Sequence, residues 1–164
     1  IGTIRSFFDA NLNLTNPVPD FSFFDASAPI YTNARFLPGS KVNGATVRQA
    51  IISDGCIIDG AHIERAVIGI RSNIKGGTTI RNCVMMGADY YAADQASSEG
   101  VPDLGIGRDC VVDHAIIDKN ARIGDGVIVS PEGKPEHFDG PNYFIRDGIV
   151  IIPKNAVIPS GSVI

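Results

Sequence analysis

A chain of 164 residues with 44% hydrophobic and 20% charged residues has the make-up of one globular domain with a short appendage, too apolar for a disordered tail. Its formal net charge of −4 excludes a general nucleic-acid surface and leaves only local basic pockets. No apolar run approaches the ~18 residues needed to span a membrane, and the 18 glycines and 10 prolines suit frequent corners better than long helices.

The chain begins at Ile1 without a methionine and shows no signal or transit peptide, so it reads as a fragment of a longer protein. Thr3 is placed to cap a short helix, IRSFFDANLNL, whose Ile4, Phe7, Phe8 and Leu12 fall at helical spacing. Those residues need a surface, either the rest of this chain or a domain outside it. Asn16-Pro17 and Pro19-Asp20 stop the helix and open an extended linker. Within the linker, the phenylalanines of FSFFD are expected to dock on the following domain. Tyr31, Phe36 and Leu37 are expected to cap its open end, where terminal strand edges would otherwise be unpaired.

From residue 42 a short repeat takes over. Aliphatic residues stand at Val42, Val47, Ile52, Ile57, Ile63, Ile68, Ile74 and Ile80, each five or six places after the last. Four places beyond each lies a small or β-branched residue: Thr46, Ile51, Cys56, Ala61, Val67, Ser72, Thr78 and Val84. Neither a helix period of 3.6 nor a strand period of two produces these steps. Repeats of one small strand and one turn do, which predicts a parallel β-helix of hexapeptide repeats with aliphatic rows inside. The pattern returns at Ile106, Val112, Ile117, Ile123 and Val129, accompanied by Cys110, Ile116, Ala121 and Val127. It returns again at Ile152, Val157 and Val163. The interruptions, MMGADYYAADQASSEGVPDLG and SPEGKPEHFDGPNYFIRDG, are too long for corners and read as two extruded loops that either carry function or reach a neighbouring subunit. The domain division is thus 1–41 for helix and linker and 42–164 for the solenoid.

Cys56, Cys83 and Cys110 lie in or beside repeat positions without C-x-x-C spacing, which predicts buried structural thiols and neither zinc nor disulfides. The histidines His62, His114 and His137 read as surface corner residues, although hexapeptide acyltransferases use a solenoid histidine as general base. No nucleophile elbow, zincin helix or phosphate loop is present, and Asp9, Asp20 and Asp25 lack metal-ligand spacing. Lys119 in IIDKNARIG and Lys154 in IIPKNAVIP share one local frame, so equivalent corners would place both on one side of the solenoid. With Arg35 they would form a cationic pocket for a phosphate or carboxylate. Solvated corner lysines are the plainer reading.

Taken together, IGTIRSFFDANL, DFSFFDASAPIYTNARFLPGSK, AVIGIRS, VMMGADYY, GIG, AIIDKNARIG and GIVIIPKNAVIPSG resemble, in this order, the ADP-glucose pyrophosphorylase (glucose-1-phosphate adenylyltransferase) family. The likeness covers nearly the whole chain and fails mainly in residues 92–101 and 130–141. It implies the C-terminal part of such an enzyme, with a left-handed coil, residues 1–41 being the end of a catalytic-domain helix and an interdomain linker. The parent would be a nucleotidyltransferase making ADP-glucose and pyrophosphate from ATP and glucose 1-phosphate for starch or glycogen synthesis. Its catalytic domain, with the expected Mg2+, would lie outside this chain, which would hold no cofactor and be inactive alone. The family's β-helix helps assemble tetramers of small and large subunits and helps bind 3-phosphoglycerate and phosphate. On the matching motifs, the resemblance makes Lys119, Lys154, Arg35 and Asn33 effector ligands. Asn33 replaces a longer amide, Pro153 a residue that is usually not proline, and Gly39 a frequent proline. Arg5 in GTIRSFF leans toward a large subunit, hence a plastid of a plant or alga; a bacterial source would mean the cytoplasm. An acyltransferase and a purely structural assembly module are the alternatives.

Overall fold

The computed structural model describes residues 2–94 and 100–164. The Thr3 hydroxyl accepts from the Ser6 amide at 3.1 Å and the Ser6 hydroxyl accepts from the Thr3 amide at 3.2 Å. This reciprocal cap satisfies otherwise orphaned donors and starts helix α1 (Ile4–Asn13). At its end the Asn13 side chain donates to the Asp20 carboxylate at 2.8 Å and accepts from the Asp20 amide at 3.0 Å, which folds the linker back on the helix.

In chain order the next strands are β1 (Lys41–Asn43), β2 (Thr46–Ile52), β3 (Ile57–Asp59), β4 (His62–Ile68), β5 (Asn73–Ile74) and β6 (Thr79–Met85). A 3₁₀ turn at Ala92–Asp94 precedes β7 (Gly105–Ile106), β8 (Val111–Ile117), β9 (Arg122–Ile123) and β10 (Ile128–Val129). Then follow β11 (Phe138–Asp139), β12 (Phe144–Arg146), β13 (Ile149–Ile152) and β14 (Val157–Ile158). The short strands stack in the order β1-β3-β5-β7-β9-β14, all parallel. The seven-residue strands β2, β4, β6 and β8 form a second parallel stack. Each of these bends in its middle, where Gln49, Arg65, Asn82 and His114 take positive φ of 50°, 48°, 47° and 56°. Those four residues drop out of the pairing, so each bent strand serves two faces. With the short strands this makes a three-sided parallel coil, as the repeat predicts.

The core follows the predicted rows with local corrections. Ile63, Ile68, Ile74, Ile80, Ile106, Val112, Ile117, Ile123, Val129 and Ile152 are all buried. Ile57, Val157 and Val163 are not the inward residues. Ile58, Ile158 and Ile164 are buried in their place, while Ile57 is 43% and Val163 70% exposed. Each is one of two adjacent aliphatics, and in a pleated strand a one-residue slip exchanges the two faces. Periodicity cannot choose within such a pair. The ladder does, by setting Ile58 against Val42 and Ile74.

The second row needs a larger correction. Cys56, Ala61, Ser72, Thr78, Cys110, Ala121 and Val127 are buried as expected. At the bent strands, however, the inward small residues are Ala66, Cys83 and Ala115, whereas Ile51, Val67, Val84 and Ile116 form a neighbouring cross-strand row. That row is the seat of α1. Phe8 and Leu12 pack on Val84, Ile116 and Ile149, flanked by Phe7 and Val67. The helix therefore lies on the solenoid, and its apolar stripe is answered by an apolar row on an outer face. His114 is part of this seat. Its ring centroid is 4.8 Å from that of Phe8, and burial, with Arg5 nearby, pushes its imidazole below the usual range. It is not the plain surface histidine expected.

The linker aromatics do not behave as expected either. Phe21, Phe23 and Phe24 are exposed, and Phe21 meets Phe23 edge-on at 5.2 Å instead of docking on the coil. Tyr31 and Phe36 are 90% and 95% exposed and cap nothing. Val42 and Val47 on the first coil stay partly exposed as a result.

Of the two loops, the second returns as an antiparallel extension, β11 on β12 and β12 on β13. The first is laid back on the coil: the Tyr91 hydroxyl donates to the Gly55 carbonyl at 3.2 Å, and Arg122 donates to the Pro102 carbonyl at 3.0 Å. Its central residues 95–99 lie outside the described part of the chain.

Two outcomes are expected. Ile68→Asp or Ile123→Asp would bury an unpaired carboxylate where an isoleucine contributes about 1.5–3 kcal/mol. Either variant should fail to give a cooperative thermal transition, and an unchanged melting temperature would refute this register. The three thiols, pushed up by burial (Cys83 to about 12), should stay unreactive toward a disulfide reagent at mildly alkaline pH until denaturant is added.

Candidate functional site

One edge of the coil is held by a continuous ladder of turn hydrogen bonds. Gly55 donates to Pro38 (2.9 Å), Arg71 to Asp54 (3.1 Å), Ala88 to Ile70 (2.8 Å), Asn120 to Gly87 (3.1 Å) and Asn155 to Lys119 (3.0 Å). Lys119 and Lys154 therefore occupy the same corner position on consecutive rungs, about 4.8 Å apart. The asparagine after each lysine has a structural reason. Asn120 and Asn155 take positive φ of 62° and 61°, a conformation that asparagine tolerates better than most residues.

The first loop leaves the solenoid on the rung below. Gly87 sits there at φ 84°, and an added Cβ would lie 2.1 Å from the Ile70 carbonyl oxygen, so only glycine fits. Two residues on, the Asp89 amide donates to Asn120 Oδ1 at 2.8 Å. This turns the Asp89 carboxylate toward both lysines: Lys119 Nζ lies 2.8 Å from Oδ1 and Lys154 Nζ 3.0 Å from Oδ2. Asn120 Nδ2 completes the cluster, 3.2 Å from Asp89 Oδ2 and 3.2 Å from Asn155 Oδ1.

Lys119, then Lys154 and Asn120, hold the Asp89 carboxyl well below the usual carboxylate range. Because its folded value is lowered, the clamp favours the folded corner at any pH above that range and is lost only as pH falls beneath it. The cluster stays in reach of solvent, with side-chain exposures of 29% for Lys119, 50% for Lys154 and 40% for Asp89. Two ammonium groups against one carboxylate leave a net positive charge, which suits an anion of higher charge than a carboxylate.

The structure brings the two predicted lysines together and does not bring Asn33 or Arg35 to them. Those two line a separate cavity with Thr32, Phe36, Asp54 and Ile70. The Ile70 rung lies two rungs from Lys119, roughly 10 Å along the same edge. Between the two places stands Arg71, whose Nη1 donates to the Ala88 carbonyl at 3.2 Å and whose guanidinium lies 5.8 Å from the Tyr91 ring centre. Sequence reasoning missed Arg71, Asn120 and Asp89 as members of this edge. The repeated Lys-Asn frame marks Asn120, but nothing local marks Asp89, which is joined to Lys119 only through the fold.

The histidines make no site. His62 lies at the start of β4, His114 sits under Phe8, and His137 lies in the second loop, 3.8 Å from Asp147. Among the described residues no group of three or more His, Cys, Asp or Glu could hold a metal ion. Among the described residues no helix is long and apolar enough to cross a membrane.

Comparison with known proteins supplies the remaining facts. Residues 35–163 match the model of the GLGC left-handed parallel beta-helix domain. The chain is 47% identical, over 174 aligned positions covering 100% of it, to the glucose-1-phosphate adenylyltransferase small subunit, chloroplastic/amyloplastic, of Triticum aestivum. It spans 36% of that relative's length. A small-subunit relative lends no support to the large-subunit lean drawn from Arg5, whose guanidinium here donates to the Asp147 carbonyl across the helix seat. The bent parallel coil, the matched family model and the likeness along the whole of this chain agree: this chain belongs to the GLGC left-handed β-helix family, the β-helix domain of the ADP-glucose pyrophosphorylases.

Proposed function

We propose that this chain is the effector-binding and assembly domain of a longer nucleotidyltransferase, which forms ADP-glucose and pyrophosphate from ATP and glucose 1-phosphate. Mg2+ chemistry belongs to the part outside this chain. The enzyme works as a tetramer of small- and large-subunit homologues, in a plastid if the source is a plant or alga. Residues 1–41 connect the two parts, and 42–164 form the regulatory body.

The observation that carries the effector reading is the convergence of Lys119 and Lys154 from consecutive rungs onto one anion, the Asp89 carboxylate. A phosphate group offers more charge and more acceptor oxygens than a carboxylate, and two ammonium groups at this spacing match it. In this reading 3-phosphoglycerate and phosphate engage the two lysines. Arg35 and Asn33 serve a second anionic group farther along the edge, or a second anion. An effector activates only by binding one arrangement of the parent better than another. A solenoid edge is a stiff platform for that, since its lysines are fixed relative to each other and any movement must come from what lies opposite.

A second reading has its own observation. In this structure both lysines already have a partner within the chain, as they would in a structural clamp that only pins the first loop to the coil. The two readings separate in the complete polypeptide, assayed for ADP-glucose synthesis alone and with a small subunit, with and without 3-phosphoglycerate. Lys119→Ala and Lys154→Ala should each raise the half-activating concentration about tenfold or more, the worth of one charge-assisted hydrogen bond, with little change at saturation. An unchanged effector response with a lowered melting temperature would leave only the clamp.

A further inference from the structure

Among the described residues of this edge, Arg71 is held by a neutral partner, a backbone carbonyl. Lys119 and Lys154 share one carboxylate, and that carboxylate belongs to a loop (residues 86–104) inserted between two coils of the solenoid, not to the coil itself. The loop leaves the coil at Gly87, so Asp89 sits two residues from a fixed hinge at the position where an incoming phosphate would meet both ammonium groups. One place cannot hold two anions.

We propose that Asp89 is a tethered competitor for the effector: its carboxylate fills the lysine pair when phosphate is absent and must leave for phosphate to bind. This deepens the effector reading of Lys119 and Lys154 and rests on it. The lysines then have two states, closed on Asp89 and open. Apparent affinity for phosphate is the intrinsic affinity reduced by the open fraction. A phosphate dianion displaces the carboxylate because it brings about twice the charge and more acceptor oxygens to the same donors.

The exchange also moves something. Releasing the carboxylate weakens the Asp89 amide bond to Asn120 and frees the segment that ends at Tyr91. The Tyr91 hydroxyl holds the Gly55 carbonyl and its ring faces Arg71, so the first part of the loop is strapped down at Asp89 and at Tyr91, and the effector would undo the former, while Arg122 on the Pro102 carbonyl and Lys75 on Asp103 hold its far end. Occupancy of the lysines would thereby be reported along the edge toward Arg71 and the cavity that holds Asn33 and Arg35.

The test uses the complete polypeptide, with inorganic phosphate as the probe, in titration calorimetry and in hydrogen exchange of residues 88–91. Asp89→Asn keeps the size and the amide contact to Asn120 but removes the charge. Competition predicts phosphate binding about tenfold tighter in Asp89→Asn, and in the native protein faster exchange at 88–91 when phosphate is added. Asp89→Ser serves as the second variant and should also bind more tightly. Unchanged or weaker binding in both variants, or slower exchange at 88–91 on adding phosphate, would overturn the proposal and make Asp89 an organiser of the site. Lys119→Ala and Lys154→Ala separate the two levels. If they weaken phosphate binding while the Asp89 variants do not tighten it, only the competition falls. If no variant alters phosphate binding, or none binds it, the effector reading falls and the competition with it.

Discussion

Everything in this molecule depends on parallel rungs stacking in register. A parallel ladder normally needs a long crossover between neighbouring strands. Here each strand pairs with its own successor one turn of the coil later. This is achieved by bending the chain at single residues, and at one of the three corners the bends fall on Gln49, Arg65, Asn82 and His114 at positive φ, not on glycine. Such a conformation costs an ordinary residue roughly 1 kcal/mol or more. The ladder bonds on both sides over-determine it. The corner side chains also help: Arg65 donates to Asn82 at 3.1 Å, and Asn82 donates to Asp113 at 3.0 Å, so the bends are bonded to one another along the axis.

Three-sided closure dictates what fits inside. Large aliphatics fill the middle of each face, and only small side chains fit where two faces meet. The corner rows read Ala66, Cys83 and Ala115 at one edge, Ala61, Thr78, Cys110 and Val127 at the second, and Cys56, Ser72 and Ala121 at the third. Each cysteine therefore sits in a different row, which gives a structural reason why all three are free although buried in one core. The small hydroxyls in these rows find backbone partners, Thr78 at the Gly107 carbonyl (2.7 Å) and Ser72 at the Gly69 carbonyl (2.7 Å). A cysteine, a serine and an alanine are interchangeable here in size, while their polar needs are met locally.

This geometry explains which features were legible in the sequence. A repeat of strand and corner is a local property, so the coil, its two insertions and the shared corner frame of Lys119 and Lys154 could be read directly. The inward choice within Ile57-Ile58 or Val157-Ile158 could not, because it is settled by hydrogen bonds to a neighbouring coil. Val67, Val84 and Ile116 looked like interior residues because they are apolar, yet they face a helix far away in the sequence. Phe21, Phe23 and Phe24 were read as docked because aromatic residues usually are, but the apolar row on the outer face of β4, β6 and β8 is already covered by Phe8 and Leu12. Asn33 came from the family resemblance alone and Arg35 from its charge in the entry segment, a cue that carries no distance, and both line a cavity at the Ile70 rung, two rungs from Lys119.

Electrostatics ties this edge to the inserted loop. Two ammonium groups about one rung apart repel by about 1 kcal/mol at 4 Å even in water, and by more beside a protein surface. A solenoid cannot relieve this by shifting one rung, since each is locked to the next. An anion between Lys119 and Lys154 offsets this repulsion, and the coil's own neighbouring carboxylate, Asp118, is engaged with the Lys119 backbone amide at 2.6 Å. The inserted loop supplies one as Asp89, aimed by the Asn120 side chain that the Lys-Asn frame already provides. The same repetition that makes the fold thus creates the charge pair, and the interruption of the repeat answers it. Regulation by an external anion then needs no new machinery in this domain, only an anion that holds the pair better than the internal one.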